Sequence, residues 1–184
     1  MPANPLPLIA ARIPNHEKLN VSLRETLMIM SETVPDKGSN LASGQSYFDK
    51  KWLSNAELHK NQDSSLRSIV SFAEKTANRE AQKTDPGLVV STASMWCIVS
   101  KPGLAGKRHR HAGIVSGAYY VDTGVSGAEH GGLLQFYLNP QSTQPTHVIE
   151  PVSGGLYLFP STLEHSVSRY DGAAPRIVIA LNLS

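Results

Sequence analysis

The chain has 184 residues, a net charge of +2 and a hydrophobic content of 40%, which suits one domain with a core that needs no metal or disulfide staple. So even a charge balance lacks the basic face of a nucleic-acid binder. No apolar run is long enough to span a bilayer as a helix, and the single cysteine, Cys97, excludes both an intramolecular disulfide and a multi-thiolate zinc site.

The start, Met1–Arg12, has no basic stretch ahead of its short apolar patch, so it does not read as a secretory leader and a reduced, cytoplasmic setting is expected. Next, Leu23, Leu27, Met30 and Val34 recur at helical spacing and predict a helix over Asn20–Val34, capped by Asn20 or Ser22 and stopped by Pro35. Asp36–Tyr47 is rich in Gly, Ser and Asn and reads as a loop. A short helix is expected near Asn55–Lys60. A longer one, capped by Asp63 or Ser64 and carrying Leu66, Ile69, Val70, Phe72 and Ala73, ends before Asp85-Pro86.

Beyond Asp85 the character changes. Of the 14 glycines, all but Gly38 and Gly44 lie in this part, and they punctuate short stretches of β character. Strands are predicted at Val89–Ser100, Lys107–His111, Ser116–Asp122, Leu133–Leu138, Thr146–Ile149, Gly155–Phe159, Glu164–Val167 and Arg176–Leu183. Strands this short and closely spaced suggest a sandwich or barrel. The expectation is a single domain, 1–184, with a mostly helical part, 1–86, packed on a β-core, 87–184.

The chemistry-bearing residues fall in the β-rich part. His109-Arg110-His111 places two imidazoles at i and i+2, on one face of a strand, and His165 lies farther on in a strand–turn–strand context. Three imidazoles can hold iron, zinc, copper or nickel. Arg176 opens the last apolar strand. Alternation puts Arg176, Val178, Ala180 and Asn182 on one face and Ile177, Ile179, Leu181 and Leu183 on the other. An inward Arg needs an anionic partner, which a dicarboxylate would supply through a bidentate pair.

Together, Trp96-Cys97-Ile98-Val99, His109-Arg110-His111, Ser116-Gly117-Ala118-Tyr119-Tyr120-Val121, Leu134–Pro140, Gly154–Ser161, His165-Ser166-Val167 and Arg176–Asn182 resemble the 2-oxoglutarate- and Fe(II)-dependent oxygenases, with Leu19–Leu23 similar to their helical lead-in. The resemblance implies a mainly β fold with N-terminal helices, its core a double-stranded β-helix, a cupin-like jelly roll with the metal in one mouth. In that superfamily the metal is held by an HxD/E pair and a distal His, and an Arg about ten residues later binds the far carboxylate of 2-oxoglutarate. His165 precedes Arg176 by eleven positions, in keeping with that pattern. His111 stands where the carboxylate would be. Three arrangements follow: all three histidines bind, or one of the pair binds with His165 and water, or a loop carboxylate such as Asp122 or Glu129 joins.

The resemblance further implies Fe(II), 2-oxoglutarate and O2 as cofactor and cosubstrates, and oxidative decarboxylation to succinate and CO2 coupled to hydroxylation of a small molecule or peptide. Arg176, with Tyr120 and Ser116, would bind the cosubstrate, and Asn182, Tyr119, Trp96 and Arg110 would face the substrate or back the ligands. Loops Pro35–Tyr47 and Gly124–Gly132 are candidate lids. Partners other than the substrate, whether nucleic acid or membrane, are not expected, and a homodimer stays open. Two other readings remain: a cupin-like three-His dioxygenase or isomerase without 2-oxoglutarate, and a non-catalytic β-sandwich binding module.

Overall fold

The computed structural model describes residues 7–36, 51–125 and 127–184. The part of the first candidate lid from residue 37 onward lies outside them. The described elements are β1 (Ile9–Arg12), α1 (His16–Thr33), β2 (Lys51–Leu53), a 3-10 turn (Leu58–Lys60), α2 (Ser64–Ala81), β3 (Thr92–Ser100), β4 (Leu104–His109), β5 (Val115–Asp122), β6 (Leu134–Tyr137), β7 (His147–Ile149), β8 (Gly155–Pro160), β9 (Glu164–Tyr170) and β10 (Arg176–Leu183).

The strands form two antiparallel sheets. The larger runs β1-β8-β5-β10-β3-β2 and the smaller β4-β9-β6-β7. Tyr120, Tyr157 and Phe159 of the large sheet meet Leu134 and Phe136 of the small one in an apolar cluster. That contact defines the inside of a double-stranded β-helix, as expected.

Both helices lie against the other face of the large sheet. Leu23 and Leu27 of α1 and Leu66, Ile69, Ala73 and Ala77 of α2 share a core with Met95, Cys97, Val99, Ile177, Ile179 and Leu181. Helix α2 starts at Asp63, whose carboxylate accepts from the backbone N–H groups of Ser65 at 2.8 Å and Leu66 at 3.0 Å. Those two donors have no partner within the helix itself, and the cap supplies one. Helix α1 begins earlier than its apolar stripe suggested. Its N-cap is Asn15, held at φ 56° without a side-chain cap bond. Asn20, expected as a cap, is buried inside the helix. It accepts from the Tyr119 hydroxyl at 2.6 Å and donates to Ser153 Oγ at 3.0 Å.

The alternation read for β10 holds. Ile177, Ile179, Leu181 and Leu183 are buried under the helices, whereas Val178, Ala180 and Asn182 on the inner face are only partly buried. In a central strand flanked by β3 and β5, such partial exposure means that the inside of the barrel is open to solvent.

Candidate functional site

By register, the inner face of the large sheet is built in rows. Arg176 is opposite Ser100, and Val178 is opposite Tyr120 and Ile98. Ala180 is opposite Ala118 and Trp96, and Asn182 is opposite Ser116 and Ser94. Small residues, Ala118, Val178 and Ala180, therefore separate the Arg176 end from the Asn182 end.

The histidines converge at the mouth. His109 closes β4 and is opposite His165 in β9. The strand stops there, two residues short of its expected end. His111 lies in the loop beyond, because its N–H donates to Ser161 O at 2.9 Å instead of continuing the ladder with β9. The loop still returns its ring to the cluster. His111 Nε2 is 3.1 Å from His109 Nε2, and one nitrogen from each of the three rings lies within 4.8 Å of the others.

The tautomers favour a cation. His109 Nδ1 lies 2.6 Å from Lys107 O, and His165 Nδ1 lies 3.1 Å from Leu163 O. A carbonyl only accepts, so each Nδ1 carries the proton and each Nε2 presents a lone pair. Burial lowers the pKa of His111 and of His165 to about 4, so both rings are neutral at pH 7. Neutral imidazoles with converging lone pairs are metal ligands. The donor set thus fits an ion, and the donors that converge are all imidazole. Asp122 is turned away, held by Arg24 Nε at 2.9 Å, and Glu129 is exposed beside His130, so neither loop carboxylate joins the cluster.

Arg176 is 5% exposed and its Nε has no hydrogen-bond partner. Its guanidinium lies 5.4 Å from the centre of the Tyr120 ring and 5.2 Å from that of Tyr170. Burial pushes the Tyr120 hydroxyl up to about 12 despite its bond to Arg176, so it stays a protonated donor. Gly132 closes over the guanidinium. It sits at φ +71°, and a Cβ there would lie 1.9 Å from Arg176 Nη1. A buried cation with an unused donor, roofed by a residue without a side chain, can seat an anion.

The other expected site residues divide by position. Trp96 is beside the cluster, its ring 5.8 Å from that of His111. Ser116 and Asn182 are on the inner face but bond mainly to each other: Ser116 Oγ donates to Asn182 Oδ1 at 2.8 Å and shares a hydrogen bond with Ser161 Oγ at 2.9 Å, and Asn182 Nδ2 donates to Ser94 Oγ at 3.2 Å. That chain reaches Ser161, whose carbonyl holds the His111 loop. Tyr119 is not in the site. It points the opposite way from Tyr120 and bonds Asn20 under the helices. Arg110, between His109 and His111 in sequence, is exposed on the wall of a groove. Gly132 and Tyr170 were not foreseen; the Gly131-Gly132 pair was the available signal for the first, and the sequence offered none for the second.

A family model described as "Putative 2OG-Fe(II) oxygenase" matches residues 94–182. Residues 94–182 are thus similar to a 2OG-Fe(II) oxygenase core. That stretch spans β3 to β10, with all three histidines and Arg176. Solved structures agree in fold. One is a prolyl hydroxylase from Trichoplax adhaerens, in complex with a peptide of the hypoxia-inducible-factor oxygen degradation domain (16% identity, 98% of this chain and 84% of that one, TM-score 0.68). Another is the viral collagen prolyl hydroxylase of Paramecium bursaria Chlorella virus-1 (9% identity, 96% and 94%, TM-score 0.61). A third is SnoN, a non-haem α-ketoglutarate-dependent epimerase of nogalamycin biosynthesis (7% identity, 95% and 77%, TM-score 0.69). No curated protein sequence matches the chain.

Proposed function

We propose that the protein is an Fe(II)- and 2-oxoglutarate-dependent oxygenase that hydroxylates a C–H bond of a small molecule or peptide, with His109, His111 and His165 as metal ligands and Arg176 as the cosubstrate anchor. One observation carries the reading: converging neutral imidazoles and a buried, underbonded Arg share the open inner face of one barrel. When bound, Fe(II) supplies O2 activation, coupling decarboxylation of 2-oxoglutarate to oxidation of the substrate.

The chain's own residues do the rest. Lys107 O and Leu163 O fix two imidazoles in the ligating tautomer. Arg176 and the Tyr120 hydroxyl donate to the far carboxylate, and Tyr170 and Gly132 shield that ion pair from water, which strengthens it. Ala118 and Ala180 leave room for the chain of the keto acid between the two ends. With three neutral ligands, the protein adds no negative charge to the ion. The carboxylate at the keto-acid end of the cosubstrate would then bring the negative charge that the protein ligands lack.

Anaerobic titration tests this. The Fe(II)-loaded protein should develop the visible charge-transfer band of a chelated keto acid on addition of 2-oxoglutarate, and should release succinate once oxygen is admitted with substrate. The all-imidazole ligand set favours one competitor, a three-His metalloenzyme that does not use 2-oxoglutarate. Metal binding without the band would establish that reading instead. A reduced, cytoplasmic setting accords with the one free, buried cysteine.

A further inference from the structure

A groove of about 490 Å³ runs along the rim of the barrel next to the histidines. Its walls include Arg110, which separates two of the ligands, Glu164, which precedes the third, and Phe136, whose ring is 6.4 Å from that of His165. Phe136, Tyr137, Pro160 and Leu163 make the body of the groove apolar.

Its charges are unevenly committed. Glu164 is taken by Arg108, whose Nε donates to it at 2.7 Å. Arg108 also donates to Ser142 O at 2.6 Å and stacks 3.9 Å from the centre of the Tyr137 ring. Its fork is spent on the wall itself. Among the described residues, Arg110 is the only Arg or Lys in the lining. It has no hydrogen bond or ion pair to any of them, and it is exposed.

Resting on the oxygenase reading, we propose that this groove is the substrate subsite and takes a small apolar molecule bearing one carboxylate, which Arg110 pairs with bidentately. The volume falls in the range of small-molecule sites, about 300–1,000 Å³, and is a close fit for one compact molecule. A lone guanidinium matches a carboxylate in charge and in planar fork geometry. A phosphate monoester, carrying about −1.5 to −2, would need a second permanent cation, and the lining has no other Arg or Lys, its remaining basic group being His147. Phe136 lines the groove and its ring is 6.4 Å from that of His165, so a molecule anchored on Arg110 would rest its apolar part beside the metal mouth.

The experiment is calorimetric binding to the metal-loaded protein saturated with 2-oxoglutarate, which keeps probes out of the Arg176 seat. The probes are 4-phenylbutyrate, its neutral amide 4-phenylbutyramide, and phenyl phosphate. The acid should bind about tenfold or more tighter than the amide. Arg110→Ala should erase that preference and Arg110→Lys should restore part of it. An equal affinity for acid and amide, a preference that survives Arg110→Ala, tighter binding of phenyl phosphate, or no binding of any probe would each overturn the assignment. Failure of 2-oxoglutarate to bind in the first step would instead overturn the oxygenase reading, which separates the two.

Discussion

Replacing Arg176 by Met separates a ligand seat from a structural arginine. Without a ligand, the wild-type chain keeps a guanidinium at 5% exposure with Nε unpaired. Leaving such a donor unsatisfied costs about 1–3 kcal/mol. The contacts with Tyr120 and Tyr170 return about 0.5–2 kcal/mol each, so the two effects nearly cancel. Met fills much of the same volume and has nothing to desolvate. The melting temperature of ligand-free Arg176→Met should therefore stay within about 4 °C of wild type, at roughly 2–4 °C per kcal/mol for a chain of this size. Ligand changes the comparison. At a hundred times its Kd, 2-oxoglutarate stabilises the wild type by about 2.7 kcal/mol, a rise of roughly 5–10 °C, and the variant should show almost none. Differential scanning calorimetry with Mn(II) in place of Fe(II) reads both without turnover. A variant that keeps the full 2-oxoglutarate shift, or that melts far below wild type without ligand, would refute the reasoning, because Arg176 would then be holding the fold and not the cosubstrate.

Four further outcomes follow. Gly132→Ala should weaken 2-oxoglutarate binding about tenfold or more, since its Cβ would push the Arg176 guanidinium aside and its φ is left-handed; calorimetric titration measures this. Tyr119→Phe strands the Asn20 oxygen in the core and should cost about 1–3 kcal/mol in urea unfolding, yet leave 2-oxoglutarate affinity unchanged, because Tyr119 is on the far side of the sheet. His165→Ala should abolish the metal-dependent stabilisation seen in the same calorimetry. Finally, the metal-free protein should lose stability as the pH falls from 6.5 towards 4. His165 has a folded pKa of about 4 against about 6.5 when unfolded, so across that window the unfolded chain binds more protons and acid favours it. Urea midpoints measured at several pH values would show the loss, and a flat profile would contradict it.

What could be read from the sequence was mostly local. Alternation in Arg176–Leu183 predicts β10 to the residue, and Asp63 caps α2 as its type suggests. The short edge strands escaped notice. Ile9-Ala10-Ala11-Arg12 has little β propensity of its own, and pairs only because β8 offers Gly155–Leu158 as a partner. Lys51–Leu53 likewise depends on β3. Spacing proposed the two near histidines, but it treated His111 as a strand residue. The real restraint is a backbone bond to Ser161, distant in sequence and beyond the reach of periodicity. The same limit applies to Ser116 and Asn182, whose inward direction was legible and whose mutual bonding was not. Nor could any local pattern show that Glu164 neutralises Arg108 while leaving Arg110 free.

The placement of Cys97 has a consequence for durability. It lies on β3 one residue from Trp96, the neighbour of His111, yet alternation turns it to the opposite face, fully buried beneath the helices. Burial also raises its pKa and keeps the thiol protonated. Thiolates are the form that oxidants attack first, and sulfinic or sulfonic products are permanent. Met95, the other sulfur of this strand, is hidden on that same side. An oxidant formed inside the barrel would therefore meet a wall free of these two sulfurs, with a whole sheet between it and them.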